Sequence, residues 1–185
     1  MNAAEHIVDC YYRIVEQCFT MSDAKVIGGI NRQLDILAAN LTTGAQYHIE
    51  SSVTHRTGSA PKAADLKRIF SKKFLGLPEK RSGKKTDYAL GKSYKKNIEE
   101  TYKSYGLDPK KVNRVFVCWI LHPKSDADKF LKEFESEHKF KISVISFRDT
   151  ILPKLREAVR TANYDDEILR TIGFIKEHDL QTRKY

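Results

Sequence analysis

Apolar residues recur at helical spacing from the start of the chain. Ile7, Val8, Tyr11, Ile14, Val15 and Cys18 predict an amphipathic helix over Ala3–Cys18. FTMSDAKVIGG then reads as a short strand and a turn, where Gly28 and Gly29 permit unusual backbone angles. Leu34–Leu41 and Gln46–Thr54 follow as two strands joined at Thr43 and Gly44, an antiparallel hairpin. Helices fit Ala63–Phe74 and Asp87–Tyr105. VNRVFVCWIL is a nearly continuous apolar run, as expected of a strand covered on both faces. SDADKFLKEFESEHK predicts a helix with Ser125, three before Asp128, as its capping residue, and KISVISF predicts another strand. Strand, helix and strand at this spacing suggest a right-handed parallel crossover. Helices over Asp149–Thr161 and Asp165–His178 close the chain, and no internal repeat is present. The order predicts a mixed α/β sheet with helices on its faces.

Charge changes this picture in one place. The chain has 185 residues, 41% of them hydrophobic, which suits one domain with a real core. Its formal net charge is +9. Residues 62–111 hold fifteen Lys and Arg against six Asp and Glu, so this segment alone equals the net charge. The same stretch is punctuated by glycine, proline and serine, and the loop EKRSGKK divides its two helices. We read it as a basic helical insertion within a single domain over 1–185. A basic balance of this kind points to a polyanionic partner, nucleic acid first. Lys62, Lys67, Arg68, Lys72, Lys73, Lys84, Lys85, Lys95 and Lys96 are the candidate phosphate contacts.

Cys10, Cys18 and Cys118 are widely spaced with no CxxC pair, which argues against a disulfide framework or a thiolate zinc site. They read as small core residues in a reducing compartment. The first residues lack the apolar core of a signal peptide, and no apolar run approaches membrane length. The expectation is a cytoplasmic protein with no membrane partner. The six histidines form no HxH or HExxH pattern, and Walker A, GxGxxG and GxSxG motifs are absent.

The hairpin carries the anomaly. Side chains alternate along a strand, so His48, Glu50, Ser52, Thr54 and Arg56 share one face of the second strand, and every one is polar. Asp35 sits within the apolar run LDILA of the adjoining strand. A buried carboxylate without a partner is costly, and two brought together repel unless a cation lies between them. Hard divalent cations take oxygen ligands, and magnesium commonly uses one or two carboxylates plus substrate phosphates. This is the physical case for a metal site directed at phosphate.

An early helix with a glutamate (AEHIV), then QLDILA, a turn, and HIESS resembles the PD-(D/E)xK nuclease superfamily, with its Mrr-type endonucleases and archaeal Holliday-junction resolvases. The motif resemblance covers about residues 3–56. It implies a restriction-endonuclease-like αβββαβ core and a Mg2+- or Mn2+-dependent DNA endonuclease, a hydrolase of phosphodiester bonds. It implies Asp35 and Glu50 as metal ligands and Glu5 as an auxiliary one. Such domains often dimerise to cut both strands, although this sequence carries no dimer signature.

Ser52 departs from the pattern, standing where the family has its lysine. A serine supplies neither a cation nor an unaided base. Three readings remain open here. The lysine has migrated, with Lys62 or Lys67 as candidates; or His48 or Arg56 substitutes; or the site is degenerate, leaving a non-catalytic nucleic-acid-binding or assembly module. Asp35, Glu50, Ser52 and His48 are therefore the catalytic candidates. Glu5 reads equally well as a first-turn acid favoured by the helix dipole. Tyr88, Tyr94, Ile98, Tyr102 and Tyr105 read first as a core stripe and second as a surface for stacking bases.

Overall fold

The computed structural model describes residues 1–29, 31–54, 60–77, 93–121, 126–160 and 162–182. Among them run six α-helices and five strands in the order α1 (Ala3–Ile14), β1 (Phe19–Lys25), β2 (Gln33–Ala39), β3 (Gln46–Ser52), α2 (Ala63–Lys73), α3 (Lys95–Ser104), β4 (Val112–Cys118), α4 (Ala127–His138), β5 (Ile142–Ser146), α5 (Leu152–Ala158) and α6 (Glu167–Thr182). A single π-helical turn at Phe147–Ile151 leads into α5. The strands form one sheet in sequential order. β1, β2 and β3 pair antiparallel, whereas β4 and β5 join in parallel. The result is a mixed α/β sheet flanked by helices, with β3 at its centre. No described helix is long and apolar enough to cross a membrane.

Local chemistry sets the element ends. The first helix stops at Ile14 rather than continuing to Cys18, because Gln17 turns into the left-handed region at φ 53° and redirects the chain into β1. Its start is a capping box, in which Asn2 and Glu5 exchange backbone and side-chain bonds. The hairpin closes where Asn40 Oδ1 accepts the Thr42 and Thr43 amides and Gly44 takes φ 72°. The expected helix over Asp87–Tyr105 begins at Lys95 in the described part, and residues 87–92 lie outside it. Ser125, the expected cap of α4, also lies outside the described residues, as does the loop EKRSGKK. The expected helix from Asp149 is divided between the π turn and α5.

The two sides of the sheet are packed differently. Ile36, Ala38, Ile49, Val115 and Val117 face α1 and α5 across one core. On the other side α2 and α4 pack over β4 and β5 through Leu66, Phe70, Phe116, Phe134 and Ile142. α3 covers the neighbouring part of that side, where Ile98 and Tyr102 meet Leu34, Leu37 and Val112. α1 is fastened to the start of α6 by Asp166. Its carboxylate accepts from Arg13 at 2.7 Å and caps the Ile168 and Leu169 amides. His6 and Cys10 approach the same carboxylate, and the three ligand atoms lie within 4.8 Å of one another. Arg13 also donates to Cys10 Sγ at 3.2 Å, so an arginine supplies the positive charge of this cluster. Burial pushes the Cys10 thiol up to about 12. We read the cluster as an interhelical clasp.

Candidate functional site

The hairpin register decides which polar groups meet. Ile36 pairs with Ile49 and Leu37 with His48, so one step along the ladder brings Asp35 opposite Glu50. Both side chains lie on the face covered by α2 and α3. Asp35 Oδ2 accepts the Ser51 amide at 2.8 Å, which fixes its carboxylate against β3. Glu50 is fully buried, flanked by paired strands on both sides.

The cation between them comes from α2. Lys73 Nζ lies 2.9 Å from Asp35 Oδ1 and 2.5 Å from Glu50 Oε2. The ammonium thus bridges the two carboxylates, hydrogen-bonded to Asp35 and in close charge-assisted contact with Glu50. Helical geometry delivers this lysine. Leu66, Ile69, Phe70 and Lys73 follow i, i+3, i+4, i+7 spacing, so Lys73 ends the stripe that α2 turns toward the sheet. Phe74, the next residue, packs edge-on against His48 with ring centroids 4.9 Å apart. That contact pins the end of α2 over the hairpin.

Beneath Glu50 the polar chain continues inward. His48 Nε2 lies 2.7 Å from Glu50 Oε1, and His48 Nδ1 lies 2.7 Å from the Tyr102 hydroxyl of α3. By distance alone, His48 and Glu50 would count as an ion pair. Burial and then the nearby Arg114 cation hold His48 down to about 3, so the ring is neutral and the contact is a hydrogen bond. Burial and then the charge of Glu50 push Asp35 up to about 6, against the opposing pull of Lys73. Burial likewise raises Glu50. Burial lowers Lys73, yet the two carboxylates together outweigh it, and the ammonium is held charged.

The neutral histidine has a consequence for stability. Its folded pKa lies below its unfolded value of about 6.5. The unfolded chain therefore takes up a proton below that pH while the native state does not. Stability from His48 is complete above about pH 6.5 and falls, by about 1.4 kcal/mol per unit, as pH drops toward about 3. Asp35 acts in the opposite sense near its own raised value, so the comparison needs a variant. Urea titrations from pH 7 to 5 should show the stability gap between wild type and His48→Gln change along this slope. A gap independent of pH would rule it out.

The structure places the sequence candidates unevenly. Asp35, Glu50 and His48 come together, joined by Lys73, which is the lysine that reaches the carboxylates in place of Lys62 or Lys67. Lys62 is exposed at the cap of α2, and Lys67 is exposed on its outer side. Ser52 is exposed at the end of β3 and lines a neighbouring cleft of about 230 Å3 with Asp65, Arg68 and Trp119. Glu5 is partly buried and engaged with Asn2 at 2.8 Å in the helix cap. Arg68, Lys95 and Lys96 are exposed on α2 and α3, and Lys72 is half-buried beside Lys73. Lys84, Lys85 and Arg56 lie outside the described residues. Tyr102 and Arg114 are neighbours of the cluster that the hairpin motif could not supply. The signals for them were a tyrosine one turn after Ile98 on a helical stripe and an arginine inside the apolar run of β4.

The donor set suits a hard divalent cation. Asp35 Oδ1 and Glu50 Oε2 converge as two carboxylate oxygens on one point, which the Lys73 ammonium occupies here. Comparison with protein-family models, curated proteins and solved structures gave no match.

Proposed function

We propose that the chain is a PD-(D/E)xK-type metal-dependent DNA endonuclease with a restriction-endonuclease-like core, in which the motif lysine is supplied from α2 by Lys73. One observation carries this reading. Lys73 Nζ stands within 2.9 Å of both carboxylates that the motif names, although the motif position itself holds Ser52. A site that had merely lost its lysine would leave Asp35 and Glu50 facing each other without a cation.

Asp35 and Glu50 would hold Mg2+ or Mn2+. Bound there, the ion supplies Lewis-acid polarisation of the scissile phosphate and acidifies a water. Ser51 and His48 each occupy one carboxylate oxygen of the pair, through Asp35 Oδ2 and Glu50 Oε1, and so orient both groups. Lys73 remains an ammonium beside two carboxylates, so it acts by positioning and by stabilising negative charge that develops on phosphate. Its side chain is 31% exposed and has room on the solvent side, where a phosphate would lie. Exposed Lys67, Lys95 and Lys96 add a sequence-independent attraction for the DNA backbone.

The test is cleavage of supercoiled, linear, single-stranded and branched DNA in Mn2+, with EDTA and the Asp35→Ala/Glu50→Ala protein as blanks. Cleavage by wild type in Mn2+ alone is the expected result. Salt-sensitive binding by both proteins without any cleavage would replace the nuclease with a binding module on the same fold.

A further inference from the structure

His48 and Tyr102 are both buried, and the residue behind His48, Tyr102, has no task in the nuclease reading so far. Their geometry admits two arrangements. In one, the ring carries its proton on Nε2, donates to Glu50 Oε1 at 2.7 Å, and accepts the Tyr102 proton on Nδ1 at 2.7 Å. In the other, the proton sits on Nδ1 and a bare lone pair of Nε2 faces a carboxylate oxygen at the same short distance. An ionised carboxylate only accepts hydrogen bonds, so the second arrangement requires Glu50 to keep a proton itself and donate it to Nε2. The Tyr102 hydroxyl selects the first. Its guanidinium neighbour, Arg114, lies 5.8 Å from the tyrosine ring centroid and carries donors only. His48 Nδ1 is then the acceptor left for the tyrosine proton.

Orientation of Glu50 follows. With Oε1 held by Nε2–H, the carboxylate cannot turn about its terminal bond, and Oε2 is directed at Lys73, 2.5 Å away. We infer that Tyr102 is a positioning residue: its hydroxyl fixes the His48 tautomer that holds Glu50 Oε1 and thereby presents Oε2 to Lys73 and to the divalent ion. The inference rests on the nuclease reading for the ion, and on geometry alone for the tautomer. It adds a residue from α3, some fifty positions beyond the motif, to the residues that shape the metal ligand. Removing an outer partner of a metal ligand commonly costs about ten- to a hundredfold in affinity.

The experiment uses the full chain and the variants Tyr102→Phe, His48→Gln and their combination. Side-chain 15N NMR reads the histidine tautomer, and titration calorimetry with Mn2+ alone reads affinity. Wild type should show His48 protonated on Nε2. Tyr102→Phe should shift the ring toward the Nδ1–H form and weaken Mn2+ by about tenfold. A glutamine at 48 donates to Glu50 without any tautomer to set, so adding Tyr102→Phe to His48→Gln should change Mn2+ affinity by less than about twofold. Tyr102→Phe that keeps the Nε2–H form and wild-type affinity overturns the inference. An equal loss in the His48→Gln background overturns it too, since the tyrosine would then act only as packing. Wild type that takes up no Mn2+ overturns the nuclease reading instead, and the tautomer comparison still decides what Tyr102 does to the ring.

Discussion

Lys73→Met is expected to reduce DNA cleavage by about a hundred- to ten-thousandfold, the range for losing a positioned group that transfers a proton or stabilises transition-state charge. Methionine keeps the unbranched stem that α2 lays against the sheet and removes only the ammonium. Asp35 and Glu50 would then face each other across the hairpin with no cation between them. Because burial already raises both, the pair answers by retaining a proton rather than by unfolding. Mn2+ affinity should not fall in parallel, since Lys73 is a competing cation between the ligands. Loss of rate with retained or tighter Mn2+ binding is therefore the signature of a catalytic lysine. The measurement is cleavage rate against Mn2+ concentration in wild type, Lys73→Met and Lys73→Arg. Unimpaired cleavage by Lys73→Met would sink the assignment of the migrated lysine.

Phe70→Ala is expected to have the largest effect on stability, about 3–5 kcal/mol. Its side chain is fully buried, and its ring meets those of Phe74, Phe116, Phe130 and Phe134 at centroid separations of 5.4 to 5.8 Å. Truncation opens a cavity at the point where α2, α4 and β4 converge. The same residue lies one turn before Lys73, so loosening α2 also loosens the cation over the hairpin. Chemical denaturation should show the loss of stability. Cleavage under conditions where the variant stays folded should fall as well, through misplacement of Lys73. A cost below about 1 kcal/mol would mean that the aromatic cluster contributes far less than its burial implies.

The hairpin was legible in the sequence because a strand exposes its periodicity over a few residues. Alternation along YHIESS placed His48 and Glu50 on one face, and the turn residues around Gly44 set the register that puts Asp35 opposite Glu50. The end of the first helix was not legible. The apolar spacing continues to Cys18, and only the left-handed backbone at Gln17 stops it. Among the basic residues, Lys73 resembled its neighbours in charge and differed in one respect, its place on the stripe of Leu66, Ile69 and Phe70. Lys72, adjacent in sequence, points along a different side of the helix.

The sequence by itself determined an α/β pattern, a polar face on what became the central strand, two carboxylates on one hairpin and a basic segment after them. These are local properties, written in periods of two and 3.6 residues. The tertiary structure alone decided which cation meets the carboxylates and what lies beneath them. Lys73 reaches Asp35 because α2 docks across β4 and β5, and Tyr102 reaches His48 because α3 covers β2 and β3. Those contacts join residues 38 and 54 positions apart. Their partners are chosen by how helices pack on a sheet, and the period of any one segment carries no record of that choice.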